Sequence, residues 1–279
     1  MTTSRELWYR YEPIHDLIYF SPRRTEQADA LGLRGYWMGY FAFRSAPLGA
    51  VPPAVVGATF FGFHRSRVRR ALPDAWSYTT VEKALAARNA TVDAAMTDLG
   101  PIEGLDEAAE LAWQAASAAD VSGRPLAAAH QAEPRSENPR IALWHATTVL
   151  REHRGDGHIA VLVARGIGPV EAHLIKSGAG ESDEATLKLH RGFPDDEWAA
   201  ARAGLVERGW LDPEGRLTAV GAAEHEAIEA ATDAAADQPW QAIGPAATAR
   251  LRDLLDPIAT AVRTADLIPY PNPVGIPSP

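Results

Sequence analysis

The sequence predicts a mainly α-helical fold made of two helical domains and a short β-hairpin. Three observations support this prediction: apolar residues recur at helical spacing between glycine and proline breaks, capping residues precede several of these patterns, and one short strand–turn–strand pattern occurs. With 279 residues, 46% of them apolar, the chain is long enough for two domains. We expect an aromatic-rich helical domain at 1–122, a linker at 123–140, a second domain at 141–266 and a proline-rich tail at 267–279.

The first half contains much of the aromatic content, between residues 5 and 72. Ser21 is a suitable helix cap before Pro22, and Gly32 suits the end of that helix. Thr80 is a cap of the same kind, and Gly100 with Pro101 breaks the pattern that follows it. The predicted helices of this half cover 21–31, 54–72, 80–99 and 105–119, and a short helix is possible at 126–132.

The second half shows sharper boundaries because glycines separate its apolar patterns. Residues 210–218 read as a hairpin, with Pro213 and Gly215 in the turn and strand-forming residues on both sides. The tail from residue 268 is rich in proline, so we expect it to be extended or disordered. The predicted helices cover 141–152, 158–165, 170–177, 182–191, 194–208, 218–236 and 244–265.

The charge and the composition exclude several classes of function. Acidic residues number 36 against 27 lysines and arginines, a formal charge of −9, so the protein as a whole repels nucleic acid and anionic membranes. The absence of cysteine excludes disulfides, thiolate nucleophiles and cysteine-ligated zinc. The start has charged residues where a signal peptide would be apolar, and prolines interrupt the longest uncharged stretch, at 45–63. We therefore expect a cytoplasmic protein with no membrane contact.

The segment 205–221 resembles the winged helix of MarR-type regulators, in which a helix ends at a glycine, a hairpin wing follows and Leu-Thr-x-x-Gly begins the next helix. More of the chain, from His15 through 46–49 to 151–158, resembles an actinobacterial family of SalK-like helix-turn-helix proteins. The resemblance implies an N-terminal helical domain packed on a MarR-like winged-helix domain, and we expect a homodimer. It also implies one function, that of a ligand-responsive transcriptional regulator that binds DNA.

The predicted DNA-reading helix has the wrong charge for that function. In the MarR layout it is the helix before the wing, at 194–208, whose first turn would enter the major groove. That turn contains Asp195, Asp196 and Glu197, and residues 181–221 have a net charge of −4. Because duplex binding depends on lysine and arginine, we expect the winged helix to be a scaffold and retain the regulator as the alternative. The arginines between 65 and 70 are a possible basic patch outside it.

The densest group of polar residues lies at 151–158, where we predict a glycine-rich turn between two helices. Asp156 would cap the second helix, with His158 in its first turn, where the helix dipole favours a neutral imidazole. A neutral histidine beside a carboxylate suits general base chemistry near pH 7. In this interpretation His158 or His153 is the base, and Asp156 or Glu152 orients it.

A purely structural interpretation of the same residues stays open. Asp156 would then be only a helix cap, and Arg151 and Arg154 would pair with Glu152 or Asp233. A metal site is a weaker alternative, because His153 and His158 are five residues apart and would need a third ligand such as His15 or His145. We therefore predict no metal site, and the sequence identifies no cofactor.

Arg44 stands in an apolar run, where an arginine needs an internal carboxylate such as Glu12 or an anionic ligand. We predict a cleft between the domains that binds a small aromatic or apolar molecule, with an enzyme of secondary metabolism as one option; the reaction stays open. The predicted catalytic residues are His158, His153, Asp156 and Glu152. The predicted ligand-binding residues are His15, Arg44, Arg151, Glu12, Tyr19 and His145.

Overall fold

The computed structural model describes residues 2–269 and 272–274. Within these residues the chain forms fifteen α-helices and a short 3-10 helix at Ala46–Leu48. The helices up to the middle of the chain are α1 (Thr3–Phe20), α2 (Pro22–Ala30), α3 (Gly35–Ser45), α4 (Pro53–Phe60), α5 (Arg65–Ala71), α6 (Ala75–Tyr78), α7 (Val81–Asp98), α8 (Leu105–Ala118) and α9 (Pro125–Gln131). The others are α10 (Pro139–Ala164), α11 (Pro169–Gly178), α12 (Glu184–Arg191), α13 (Asp195–Glu207), α14 (Ala219–Ala235) and α15 (Gln238–Thr264), the last kinked at Gly244.

Side-chain caps explain where several of these helices begin. The hydroxyl of Thr80 accepts a hydrogen bond from the backbone N–H of Lys83 at the start of α7, as the sequence predicts. Ser21 caps α2 in a similar way, followed by Pro22 in the first turn. Such a cap satisfies one of the four backbone N–H groups that a helix start leaves without a partner.

The helices surround two hydrophobic cores. The first core contains buried residues of α1, α3, α7, α8, α15 and the first half of α10, among them Tyr11, Phe41 and Trp144. The second core contains residues of α11 to α14 and the end of α10, among them Leu162 and Trp198. The 26-residue helix α10 therefore connects the two cores. The domain limits proposed from the sequence stay a prediction, although α9 does lie within the expected linker.

The predicted glycine-rich turn at 151–158 is wrong, because α10 runs through it without a break. Gly157 serves close packing instead. A Cβ there would lie 2.5 Å from Nη1 of Arg124, so a larger residue would displace this head group from its present position. Arg124 crosses α10 here and donates hydrogen bonds to the carbonyl oxygens of His153 and Ala235.

The predicted β-hairpin wing is also wrong. In the part of the chain that the structure describes there is no β-strand, and residues 211 and 217 form only an isolated antiparallel bridge. The reason is that α14 begins at Ala219 directly after the bridge and a tight turn at 212–216 lies on its other side, so no further residues can pair. Asp212 accepts hydrogen bonds from both the backbone and the side chain of Arg216, and Pro213 has no N–H to donate to a partner strand. The winged-helix domain is therefore replaced by an all-helical arrangement, which agrees with the mainly α part of the prediction.

The single helix predicted at 54–72 is two helices, α4 and α5. Phe61 interrupts it with a positive φ of 46°, which a helix does not accommodate. Beyond this break, the backbone N–H of His64 donates to the carbonyl of Arg191, and Arg67 donates to the carbonyl of Leu189. These bonds place α5 beside α12.

Among residues 2–269 and 272–274, no single helix is long and apolar enough to cross a membrane. The helices α10 and α11 meet the requirement only as a pair, and they are bent by 104° at the break between them.

Candidate functional site

A cavity of about 300 Å³ lies between the two hydrophobic cores. This volume is at the lower end of the range for small-molecule sites. The helices α1, α3, α4, α10, α11 and α14 provide most of its lining. One side of it is largely aromatic and includes Trp8, Tyr19, Tyr36, Trp37, Tyr40 and Phe63.

The aromatic wall follows from the composition of α3 and from its helical spacing. Tyr36 and Tyr40 are four residues apart on one face, and their rings are stacked with centroids 6.1 Å apart. Tyr40 also contacts Tyr19, with a centroid distance of 5.0 Å, and Phe63, at 5.5 Å. These contacts connect α1, α3 and the loop after α4 into one apolar surface that can pack against a ring.

A chain of buried ion pairs lies at the boundary of this wall. Glu152 binds two arginines: its carboxylate is 3.2 Å from Nη2 of Arg44 and 2.8 Å from Nη1 of Arg151. Arg151 also donates from Nε to Glu12 at 3.1 Å. The internal partner of Arg44 is thus Glu152, and the predicted pair of Arg44 with Glu12 is wrong. Burial alone would disfavour the charged carboxylate, but Arg151 and Arg44 outweigh it and hold the pKa of Glu152 well below its usual value.

A second group of ion pairs connects α1, α10 and α14. Arg154 contacts Asp233 at 2.6 Å and Glu229 at 3.0 Å, and Arg5 contacts Asp233 at 2.9 Å. The pairs of Arg151 with Glu152 and of Arg154 with Asp233 are those of the structural interpretation of the sequence. These ion pairs connect α10 to both α1 and α14.

His158 reaches the cavity from the middle of α10. Its Nδ1 is 2.9 Å from the hydroxyl of Thr232 and 3.9 Å from Glu229. Burial lowers the pKa of His158 to about 4, with smaller contributions from Lys176 and Arg154, so the imidazole is neutral at pH 7. Neutrality was predicted from a helix dipole, but the cause is desolvation, since His158 is far from the start of its helix.

Six of the predicted site residues line the cavity together. His15 is not one of them, because it lies fully buried beneath the wall, with Nδ1 2.9 Å from the Thr148 hydroxyl and Nε2 3.1 Å from the Tyr19 hydroxyl. Burial lowers the pKa of His15 well below its ordinary value. The six that line the cavity are Glu12, Tyr19, Arg44, Arg151, Glu152 and His158.

Three other predicted residues hold the opposite side of α10 in place. Asp156 accepts hydrogen bonds from the backbone N–H groups of Leu126 and Ala127 at 2.9 and 3.0 Å, so it caps α9 and not the helix that follows it in sequence. His153 donates to the carbonyl of Asp120, and His145 donates to the carbonyl of His130. The predicted pairing of His158 with Asp156 is therefore not formed.

The histidines also do not assemble into a metal site. The predicted alternative needed His15 or His145 beside His153 and His158, and each of these four side chains has its own partner elsewhere. Within residues 2–269 and 272–274, no group of three histidine, aspartate or glutamate side chains has the geometry to hold a metal ion.

Sequence reasoning missed Lys176, Arg191 and His173, which line the cavity from α11 and α12. Nε2 of His173 donates to the carbonyl of Gly62 at 2.9 Å, and the imidazole stacks on Trp198. No motif marks these residues, because they are single polar residues in amphipathic helices. The aromatic content between residues 5 and 72 and the six predicted residues pointed to other parts of the cavity wall.

A short connection joins α12 and α13 in the second core. Only Gly192, Phe193 and Pro194 separate the two helices, and Gly192 ends α12 in the left-handed conformation. A turn of this length, with a glycine, is typical of a helix-turn-helix unit. A family model described as the helix-turn-helix family matches residues 4–269. The chain belongs to this helix-turn-helix family. No curated protein and no solved structure matches the chain.

The α13 helix of this family member keeps the acidic start that the sequence indicates. Asp195, Asp196 and Glu197 are exposed. The two arginines at α13 have carboxylate partners, since Arg202 pairs with Glu184 and Arg208 with Glu171. The start of this helix therefore presents negative charge to solvent, which opposes approach to a phosphate backbone.

Proposed function

We propose that this helix-turn-helix family member binds a small aromatic or largely apolar molecule in the cavity between the two hydrophobic cores. The observation that supports the proposal is the combination of an aromatic wall with buried charged side chains around an internal volume of about 300 Å³. Apolar walls with a few fixed polar groups are typical of small-molecule sites. The ion pairs of Arg44, Glu152 and Arg151 hold one edge of the site rigid before a ligand arrives.

A binding role requires less of these residues than a catalytic one. His158 is neutral and hydrogen-bonded to Thr232, and the predicted Asp156 faces α9 instead of the cavity. The cavity therefore has rings to stack on a ligand and charges to orient it. The SalK-like resemblance adds no chemistry to this proposal.

The experiment measures the fluorescence of N-phenylnaphthylamine, a neutral aromatic amine that becomes bright in apolar surroundings. We expect saturable binding to the full-length protein. Ala172→Phe places a ring in the cavity from α11 and is expected to abolish binding. The matched control is Ala200→Phe on the exposed face of α13, which should bind as the wild type does. Equal binding by both variants, or no binding by the wild type, would contradict the proposal.

The second candidate function is binding of duplex DNA in response to the ligand. The family supports it, and so does an exposed basic surface on α5. Arg65, Arg69 and Arg70 are exposed there, and within the described part of the chain they have no carboxylate partner within 4 Å. The bonds of α5 with α12 place this surface beside the helix-turn-helix unit. Here α5, and not the acidic start of α13, would contact the phosphates.

A labelled duplex in a salt titration tests this candidate. We expect binding that weakens steeply with salt, and a double variant Arg65→Glu with Arg69→Glu that no longer binds. The control is Arg252→Glu, a partly exposed arginine on α15 that pairs with its neighbour Asp253. Loss of binding in the control as well would indicate a nonspecific effect of net charge and would contradict the α5 surface.

A further inference from the structure

Two cations in the cavity wall differ from all the other arginines and lysines there. Arg5, Arg44, Arg151 and Arg154 each pair with a carboxylate. Lys176 on α11 and Arg191 on α12 do not: among residues 2–269 and 272–274, no carboxylate oxygen lies within 4 Å of either head group.

The partners of these two cations are backbone carbonyls of the chain after α15. Lys176 donates to the carbonyl of Val274, and Arg191 donates to the carbonyl of Pro273. These carbonyls belong to consecutive residues, so both head groups bind the same short stretch of backbone, and Arg191 contributes to the lowered pKa of Lys176. Another contact of this segment joins the Ser182 hydroxyl to the carbonyl of Asn272, at 3.3 Å.

The two carbonyls compensate the positive charges only in part. Nε of Arg191 is buried and has no hydrogen-bond acceptor. The guanidinium carbon lies 4.7 Å from the centre of the Phe63 ring, so the charge stands directly beside the aromatic wall. Glu181, the cavity carboxylate on the same side, pairs with His225 at 3.2 Å. A half-buried cation without a counter-charge is costly, and an anion at this position would reduce that cost.

Burial leaves Arg191 charged at neutral pH. Desolvation lowers the pKa of Arg191 to about 10, despite the opposing effect of Tyr40. Desolvation also lowers the pKa of Lys176, and Glu181 opposes this. The guanidinium therefore keeps its proton at pH 7 and can donate to an oxyanion.

We propose that Lys176 and Arg191 form an anion-binding subsite, and that the molecule bound in the cavity is an aromatic compound with one oxyanion group. The oxyanion takes the place of the Pro273 and Val274 carbonyls, and the ring packs on the wall at Phe63. This inference rests on the proposed binding function and specifies its ligand class. Both cations lie on the helices that precede α13, so the ligand also contacts the helix-turn-helix unit directly.

The test compares two fluorescent probes that share one ring system. Anilinonaphthalene sulfonate carries an oxyanion, and N-phenylnaphthylamine is its neutral counterpart. We expect the wild type to bind the sulfonate at least tenfold more tightly than the amine. Lys176→Met and Arg191→Met should each weaken sulfonate binding about tenfold or more and leave amine binding unchanged. Inorganic phosphate alone should compete only weakly, because it has no ring.

The matched control is Lys188→Met, which removes a lysine of α12 that pairs with Glu184 outside the cavity. It should change neither affinity. Loss of amine binding by Lys176→Met would show that this variant fails to fold. In that case Arg191→Lys is compared with Arg191→Met. Sulfonate binding that is retained in Arg191→Lys and lost in Arg191→Met supports the subsite. Equal affinity of the wild type for both probes, unchanged in the methionine variants, would overturn the subsite and leave the binding function standing. No binding of either probe would overturn both.

Discussion

Glu152→Gln is the substitution that most directly tests the ion pairs at the edge of the cavity. Glu152 is 2% exposed, and its carboxylate accepts hydrogen bonds from Nε and Nη2 of Arg44 and from Nη1 of Arg151, over 2.8 to 3.3 Å. Glutamine keeps the shape but loses the charge. Arg151 then still has the carboxylate of Glu12, whereas Arg44 loses its counter-charge and keeps neutral neighbours such as the Tyr40 hydroxyl, at 3.2 Å.

The expected loss in free energy of unfolding is about 3–5 kcal/mol, the usual cost of removing one partner of a buried ion pair. Against a typical total of about 5–15 kcal/mol for a folded protein, this is a large fraction. The cost arises chiefly from Arg44, whose buried guanidinium would lack a counter-charge.

The pH dependence has a definite sign. Glu152 has a pKa below its ordinary value of 4.5 in the folded protein, because Arg151 and Arg44 outweigh the effect of burial. Its contribution is therefore complete above that ordinary value and is lost as the pH falls through the lower pKa of the folded state. The difference in stability between the wild type and Glu152→Gln should be constant above pH 5 and shrink in acid.

Urea unfolding at pH 7 and in a series down to pH 3 measures both effects. The control is Glu107→Gln, which breaks the exposed pair with Arg250 and should cost no more than about 1 kcal/mol. The reasoning is refuted if Glu152→Gln costs as little as the control, or if its effect grows toward acid pH.

Two further predictions concern α14 and α9. Gly221→Ala should destabilise the protein by at least about 2 kcal/mol in urea unfolding, because its Cβ would lie 2.0 Å from the carbonyl oxygen of Trp210. The control is Gly57→Ala, also in a helix, whose Cβ has open space. It should be neutral or stabilising by about 0.5–1 kcal/mol. Burial raises the pKa of Asp156 to about 6. The free energy of unfolding of the wild type relative to Asp156→Asn should therefore fall as the pH rises from about 4 to 6. If the difference between the two proteins does not change with pH, Asp156 has no such pKa shift.

Local patterns in the sequence were sufficient for most of the helices and for their caps. Thr80 and Ser21 cap the helices predicted for them, and Gly192 ends α12 as expected. Glycine was the source of the main error. In sequence Gly155 and Gly157 look like a turn, but in the fold both lie within a continuous helix, and Gly157 leaves room for Arg124 to cross it.

The sequence predicted several residues of the candidate site, but it did not predict which residues they pair with. The sequence indicated that Arg44 needs a counter-charge, and the structure supplies it from Glu152, 108 residues away. His158 and Asp156 are two residues apart on one helix, so their side chains point in directions about 200° apart and cannot form the predicted pair. Lys176 and Arg191 had no signal in the sequence at all.

The sequence by itself determined that this protein is mainly helical, acidic and rich in aromatic residues before position 72. These properties depend on composition and on spacing of three or four residues, which act within one helix. Tertiary structure alone decided which charges pair, which histidines lose contact with water and where a cavity remains. Those outcomes depend on how α1, α10 and α14 pack across long separations in the chain, and no local pattern encodes that packing.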